Sequence, residues 1–234
     1  MNKILKYFSN VSDWNLALHI WDNENKVIKN RKKLASKLYK NLEDFIYMNQ
    51  VHGGYVEIIS NPSLNSFLWK SKEDVIFKCD WLVTKEKWIV LSVLVADCIP
   101  VLFYDDINEV VWVAHVWWKW TNKKIVQNTI NKMLEIWADI NNINLIIWPG
   151  INHCSYEIWE EVWINFREEV KTNLVNKKQF LDLKKENKLQ ALELWIKEDN
   201  IEIISIDTFS DKNYFSARRD WFWKWRFWGF IYIK

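Results

Sequence analysis

Residues 81–116 read WLVTKEKWIVLSVLVADCIPVLFYDDINEVVWVAHV, and this stretch decides the fold. Four apolar runs follow one another: Trp81–Thr84, Trp88–Ala96, Pro100–Tyr104 and Val110–His115. Each is four to nine residues long and rich in Val, Ile and Leu, the signature of strands buried on both faces. Only short polar clusters separate them, among them Asp105-Asp106, which reads as a turn. Such hairpin-like spacing favours a mixed sheet over a purely parallel one.

Helical and strand patterns alternate outward from this centre. Residues 24–42 are Lys-rich, with Val27, Leu34 and Leu38 on one side, and predict a helix. Residues 122–139 place Ile125, Val126, Ile130, Met133, Leu134 and Trp137 at helical spacing, and 157–174 and 184–194 also read as helices. Val56–Ile59, Leu145–Ile147, Ile201–Ile206 and Phe230–Ile233 read as strands, and 61–74 as loop. No repeat, low-complexity tract or linker interrupts the pattern. The expectation is one α/β (α+β) domain over residues 1–234, a mixed sheet with flanking helices.

Composition excludes several classes. The net charge is +2, which gives no electrostatic case for nucleic acid or an anionic membrane. Three cysteines, Cys79, Cys98 and Cys154, are too few and too odd in number for a disulfide scaffold, and fit a reducing compartment. The N-terminal residues lack the apolar core of a signal peptide, and the longest apolar stretch, 88–96, is far short of a membrane span. The expected location is cytoplasmic.

One feature of the composition is abnormal: 18 tryptophans against 4 glycines. Several tryptophans stand where a backbone wants glycine. Trp14 lies in the turn cluster Ser12-Asp13-Trp14-Asn15, Trp148 precedes Pro149-Gly150, and Trp195 falls where a helical pattern gives way to a strand. Trp221, Trp223, Trp225 and Trp228 alternate with Phe and basic residues. The expectation is a codon, UGA, that some bacterial lineages read as glycine and that is rendered here as tryptophan. Trp118 is the position expected to be a true tryptophan.

The residues that carry chemistry lie at strand ends. His52 precedes a Gly pair in Gln50-Val51-His52-Gly53-Gly54, Cys98 ends one buried run, and His115 ends another. Two imidazoles and a thiolate suit zinc or copper, and three protein ligands leave one coordination position open. The same residue types are also common as inert packing, since a buried Cys behaves as a small hydrophobe.

Six blocks, Gln50–Gly53, Cys79–Thr84, Ala96–Tyr104, Ala114–Thr121, Trp148–Glu157 and Phe215–Arg226, resemble in order the family variously called laccase-domain, polyphenol oxidase or purine nucleoside phosphorylase proteins. Ala96-Asp97-Cys98-Ile99-Pro100-Val101-Leu102 and Phe215-Ser216-Ala217-Arg218-Arg219-Asp220 are the specific matches. The resemblance implies Zn²⁺, with Cu²⁺ as the other candidate, held by His52, Cys98 and His115. It implies phosphorolysis of adenosine, inosine, guanosine and methylthioadenosine to base and ribose 1-phosphate, and deamination of adenosine. Purine nucleosides and phosphate would be the partners.

On that resemblance Asp97 is a candidate proton carrier, or else a structural Asp bonded at its turn. Lys119 stands where an Arg is usual, which keeps the charge and loses the planar fork. Ser216, Arg218 and Arg219 are candidates for the phosphate cradle. If they lie on a strand, the two arginines point to opposite faces, and Arg219 is favoured as the one entering the pocket. Gln50 and Arg31 fall at family-like positions as further substrate-binding candidates; Arg31 also reads as a solvated helix charge. Two rival functions remain open. A copper polyphenol oxidase of the multicopper type needs many imidazoles, and the chain has four histidines: His19, His52, His115 and His153. A non-enzymatic metal-binding protein would show a fourth ligand, such as Cys79 or His153, beside the metal.

Overall fold

The computed structural model describes residues 3–18, 20, 22–51, 55–60, 78–136, 138–173, 178–220 and 225–234. His19, His52, Gly53, Gly54, Trp137, Trp221, Trp223 and the expected loop 61–74 lie outside the described residues. The strands, in chain order, are β1 (Ile4–Phe8), β2 (Phe45–Ile46), β3 (Val56–Ile59), β4 (Trp81–Thr84), β5 (Val90–Val95), β6 (Ile99–Asp105) and β7 (Val110–Val116). They continue as β8 (Ile143–Ile147), β9 (Glu157–Ile158), β10 (Lys171–Asn173), β11 (Gln179–Leu181), β12 (Ile201–Ile203) and β13 (Phe227–Ile233). The helices are α1 (Glu24–Lys37), α2 (Trp118–Asn122), α3 (Ile125–Glu135), α4 (Glu160–Trp163), α5 (Leu183–Glu193) and α6 (Ala217–Asp220).

Among these elements a six-stranded sheet runs β12-β8-β6-β7-β4-β3, and a four-stranded sheet runs β1-β13-β5-β2. Both are mixed: β6 pairs antiparallel with β7 and β8, while β3–β4 and β12–β8 are parallel. A small three-stranded sheet, β10-β11-β9, stands apart from both. The α/β architecture expected from the alternating pattern is therefore present.

Side-chain alternation sorts the strands into layers. In β7, Val111 and Val113 join Leu91, Val93, Phe227 and Ile231 in one core between the two large sheets. Val110, Trp112, Ala114 and Val116 turn the other way, toward α3 and α5. The outer face of the four-stranded sheet, with Phe45, Trp228 and Phe230, is covered by Leu34 and Ala35 of α1. The order is thus α1, four-stranded sheet, six-stranded sheet, then α2, α3 and α5. By its parity His115 faces the space between the sheets.

Several expectations need correction. The helix expected over 157–174 is instead β9, the short α4, a 3-10 turn at Glu168–Val170 and β10. Ile158, Val162, Phe166 and Val170 are all buried, so the spacing of four is real, but it belongs to successive turns against one core. The helix expected over 122–139 breaks at Lys124, whose φ of 55° separates α2 from α3. Trp88 is not in a strand; β5 starts at Val90. The strand-ending turn expected at Trp148-Pro149-Gly150 does follow β8, but the Trp148 side chain is buried, and its ring fills the space where a Cβ on Gly229 would come within 3.0 Å of it. Among the described residues, no helix is long and apolar enough to cross a membrane.

α5 carries a lysine that should be visible in the pH dependence of stability. Lys184 is buried, and its Nζ donates to the carbonyls of Ile204 and Ile206 at 2.9 and 2.8 Å. Burial pulls its pKa down from 10.5 to about 8, against the opposing pull of Asp207 and Asp182. A neutral amine still has two N–H groups for those two carbonyls. Between about pH 8 and 10.5 the unfolded chain therefore binds more protons than the folded one, and stability rises with pH. Lys184→Met should remove that rise, which is at most about 3 kcal/mol. Urea unfolding of both proteins at pH 7.5 and 10 would test it; equal slopes with pH would refute it.

Candidate functional site

The turn from β5 into β6 places Asp97 and Cys98 at one end of the inter-sheet space. Asp97 takes a φ of 78°, a conformation Asp tolerates better than most residues. Its carboxylate is buried and bonded three times. Oδ1 accepts from the Thr208 hydroxyl at 2.7 Å, and Oδ2 accepts from the Ser216 hydroxyl at 3.0 Å and the Arg218 backbone N–H at 2.6 Å. Burial raises the Asp97 pKa, and these bonds pull against the rise. The Asp97 carbonyl accepts from the Ile151 N–H at 3.0 Å. Gly150 makes that approach possible, since a Cβ there would sit 3.1 Å from the Asp97 carbonyl oxygen and 3.2 Å from that of Cys98. Asp97 thus joins three segments that are far apart in sequence.

Register brings His115 to the same place. β7 pairs with β6 so that His115 lies opposite Pro100, two residues past Cys98. The His115 Nδ1 faces Asp80 Oδ1 at 3.5 Å, and its backbone N–H donates to the Asp80 carbonyl at 3.0 Å. Asp80 is fully buried at the head of β4. Burial alone pushes the imidazole's pKa down; the neighbouring Cys98 and Asp80 outweigh it and raise it to about 9. The side chain of Cys98 is a second hydrogen-bonding partner of the ring. A carboxylate behind an imidazole is the arrangement that fixes a metal-binding histidine in orientation and tautomer.

Cys98 and His115 are therefore adjacent, and the third expected ligand, His52, lies outside the described residues. Among the described residues alone, no group of three His, Cys, Asp or Glu side chains is arranged around one metal position. The donor chemistry of the pair, a thiol and a carboxylate-backed imidazole, fits zinc or copper. Cys79 precedes Asp80 and shares a core cluster with Cys98. Cys79 is buried, which pushes its thiol up to about 12. His153 faces Asp182 at 3.7 Å with its side chain 53% exposed, and Cys154 is exposed.

The remaining candidates separate. Arg219, favoured as the pocket cation, is bound up in its own loop. Its guanidinium donates to the carbonyls of Thr208, Phe209 and Tyr214 at 2.7–2.9 Å and pairs with Asp220. The two arginines lie on the four-residue α6 and not on a strand, so the opposite-faces argument does not apply. Arg218 is exposed, donates from Nη1 to the Glu157 carbonyl at 3.0 Å, and holds its guanidinium 5.6 Å from the centre of the Tyr156 ring. Ser216 is buried, donating to Asp97 and accepting from the Arg219 N–H at 3.0 Å.

Gln50 uses its amide on β5, donating to the Leu94 carbonyl at 2.9 Å and accepting from its N–H at 2.8 Å. It acts as one more rung of the sheet and leads the chain toward His52. Lys119 is exposed on α2, with its ammonium 5.5 Å from the Trp118 ring. Arg31 is not a solvated charge. It is 3% exposed under α1, donates from Nε to the Leu16 carbonyl at 2.8 Å, and lies over the rings of Tyr47 and Trp228. Burial lowers its pKa to about 10.

Asp80, Tyr156 and Arg226 lie within the family-like blocks but had no role read from them, and Thr208 lies outside those blocks. Burial lowers the Arg226 pKa, opposed by Cys98 and Asp97, which places this guanidinium within electrostatic reach of the site. None of the four carries a local signal; each is identified by its partner across the fold.

The chain matches, over residues 7–234, the family model described as multi-copper polyphenol oxidoreductase laccase. It is 32% identical over 209 residues to a purine nucleoside phosphorylase of Campylobacter jejuni, covering 88% of this chain and 85% of that protein. It is 27% identical over 214 residues to the purine nucleoside phosphorylase YlmD of Bacillus subtilis, covering 88% and 77%. Among solved structures, the hypothetical protein YfiH of Bacillus licheniformis superposes with a TM-score of 0.93 at 25% identity, over 100% of this chain and 94% of that one. YlmD of Geobacillus stearothermophilus superposes with a TM-score of 0.87 at 25% identity, over 99% and 90%.

Proposed function

The chain belongs to the multi-copper polyphenol oxidoreductase laccase family, and from that premise we propose that it is a metal-dependent purine nucleoside phosphorylase that also deaminates adenosine. Relatives named purine nucleoside phosphorylase support the reaction class. The observation that carries the reading is the meeting of Cys98 with a carboxylate-backed His115, beside the Asp97 junction that holds Arg218.

His52, Cys98 and His115 would hold the metal. When bound, zinc or copper supplies Lewis acidity for activating water or polarising a ligand oxygen. Asp80 holds the His115 ring in orientation. Asp97 serves the site through its backbone and carboxylate bonds, fixing Ser216 and the start of α6; its remaining acceptor capacity is the part available to a proton. Arg218 offers a cation to phosphate, Arg226 is a further positive group within reach of Cys98 and Asp97, and Lys119, exposed on α2, follows His115 in the sequence. Arg219 acts by bracing the 208–214 loop. Arg31 sits in the α1 core, and Gln50 sets the path of the chain into His52.

The test is product identification. Purified protein incubated with adenosine should yield adenine and ribose 1-phosphate only when phosphate is present, and inosine without it. The absence of any nucleoside turnover, alongside oxygen-dependent oxidation of phenols, would replace this reading with the copper oxidase.

A further inference from the structure

Arg218 and Arg219 are neighbours with opposite fates. The guanidinium of Arg219 is spent on three carbonyls and a carboxylate. Among the described residues, Arg218 has one side-chain hydrogen bond, from Nη1 to the Glu157 carbonyl, and its Nε and Nη2 make none. An exposed arginine with four rotatable bonds loses much entropy when it is held in one place. Something must position it if it is to serve a site.

That support is Tyr156. Its backbone N–H donates to the Asn152 carbonyl at 2.9 Å, and its carbonyl accepts from the Leu181 N–H at 3.2 Å, so the residue is anchored at both ends. The side chain is 2% exposed. Its ring touches Trp117 on one side, with centroids 5.1 Å apart, and lies under the Arg218 guanidinium at 5.6 Å. The next residue, Glu157, supplies the carbonyl that takes Nη1. Two consecutive residues therefore fix the arginine's direction, one through its ring and one through its backbone. The Arg218 backbone N–H donates to Asp97 Oδ2 at 2.6 Å, and Asp97 directly precedes Cys98, so the pinned cation is at the Cys98 end of the sheets.

We propose that Tyr156 is the positioning residue for Arg218, carrying its guanidinium so that the free Nε–Nη2 edge receives inorganic phosphate beside Cys98. The planar edge of a guanidinium matches two oxygens of a phosphate, and the cation over a ring is held without using those donors. The proposal rests on the phosphorolysis reading for its purpose, though not for its geometry.

The experiment titrates inorganic phosphate into the full chain without nucleoside, by calorimetry. Tyr156→Phe keeps the ring and should bind within twofold of wild type. Tyr156→Leu should bind about five- to tenfold more weakly, the size of a partly desolvated cation–π contact. In turnover, KM for phosphate should rise with it while KM for the nucleoside stays within twofold. Tyr156→Leu binding phosphate as wild type does, or Tyr156→Phe failing as badly as Tyr156→Leu, overturns the proposal. If Tyr156→Leu does not fold, Arg218→Ala decides: it should lose phosphate binding, and retained binding overturns the proposal. A wild-type chain that binds phosphate yet forms no ribose 1-phosphate sinks the phosphorylase reading and leaves this site standing.

Discussion

His115→Ala should purify without stoichiometric metal and without nucleoside turnover. The imidazole is 3% exposed at the end of a strand buried on both faces, so no other described side chain can swing into its position without displacing core. With the proposed coordination set His52, Cys98, His115, losing one ligand would leave a two-ligand site without redundancy. Elemental analysis of protein expressed with zinc supplementation reads this directly; retention of one metal per chain would show the ligand assignment to be wrong. Because a buried truncation can damage the fold, Asp80→Asn is the companion variant. It keeps the shape and removes the carboxylate facing Nδ1 at 3.5 Å. The expected cost is about 10–100-fold in metal affinity, the usual penalty for removing a carboxylate that orients a ligand histidine. An Asp80→Asn protein with unchanged affinity would separate Asp80 from the metal.

The parts of this site that were readable in advance were those with a local signature. The doubly buried runs of β4 to β8 announce themselves by length and composition, and Asp97-Cys98 stands out as the polar break between two of them. His115 is legible for the same reason. What escaped was pairing at a distance. Ile4 lies opposite Ile233, so the two ends of the chain form neighbouring strands, and nothing within β1 says so. Asp80 looks like any polar residue before a strand until register sets it against a histidine 35 positions later. The argument for Arg219 over Arg218 rested on a strand that residues 217–220 do not form. Asp97 captures the Arg218 N–H at 2.6 Å, which winds residues 217–220 into a turn of helix and redirects both side chains. Residues 157–174 show the complementary error: a spacing of four that arises from one buried face shared by several short elements.

Replacing Trp14, Trp88 and Trp195 together with glycine should raise stability by about 2 kcal/mol. All three have positive φ, at 62°, 73° and 67°. Trp14 is the most constrained, with ψ at −172°, a region essentially reserved for glycine. Trp195 occupies the C′ position of α5. Its N–H donates to the Leu192 carbonyl at 2.9 Å, and the next N–H, of Ile196, reaches the Ala191 carbonyl at 3.3 Å. That is the Schellman arrangement, in which glycine is the usual residue because a left-handed Cβ is crowded. Each left-handed side chain costs about 1–2 kcal/mol, and glycine's extra freedom in the unfolded chain returns roughly 0.4–1 of that. Trp195 is 87% exposed and loses little packing, whereas Trp88 gives up its contact with Lys40 and the half-buried Trp14 gives up its contacts with Trp225 and Lys26. The sites lie on different elements and should add. For a chain of this size the gain corresponds to a melting temperature roughly 4–8 °C higher. The backbone argument is independent of side-chain type, so Tyr39→Gly, at φ 57° and 98% exposed, should show the same sign. Trp112 and Trp228 are the opposite case. They are fully buried, and glycine there should cost about 3–5 kcal/mol or more in lost packing.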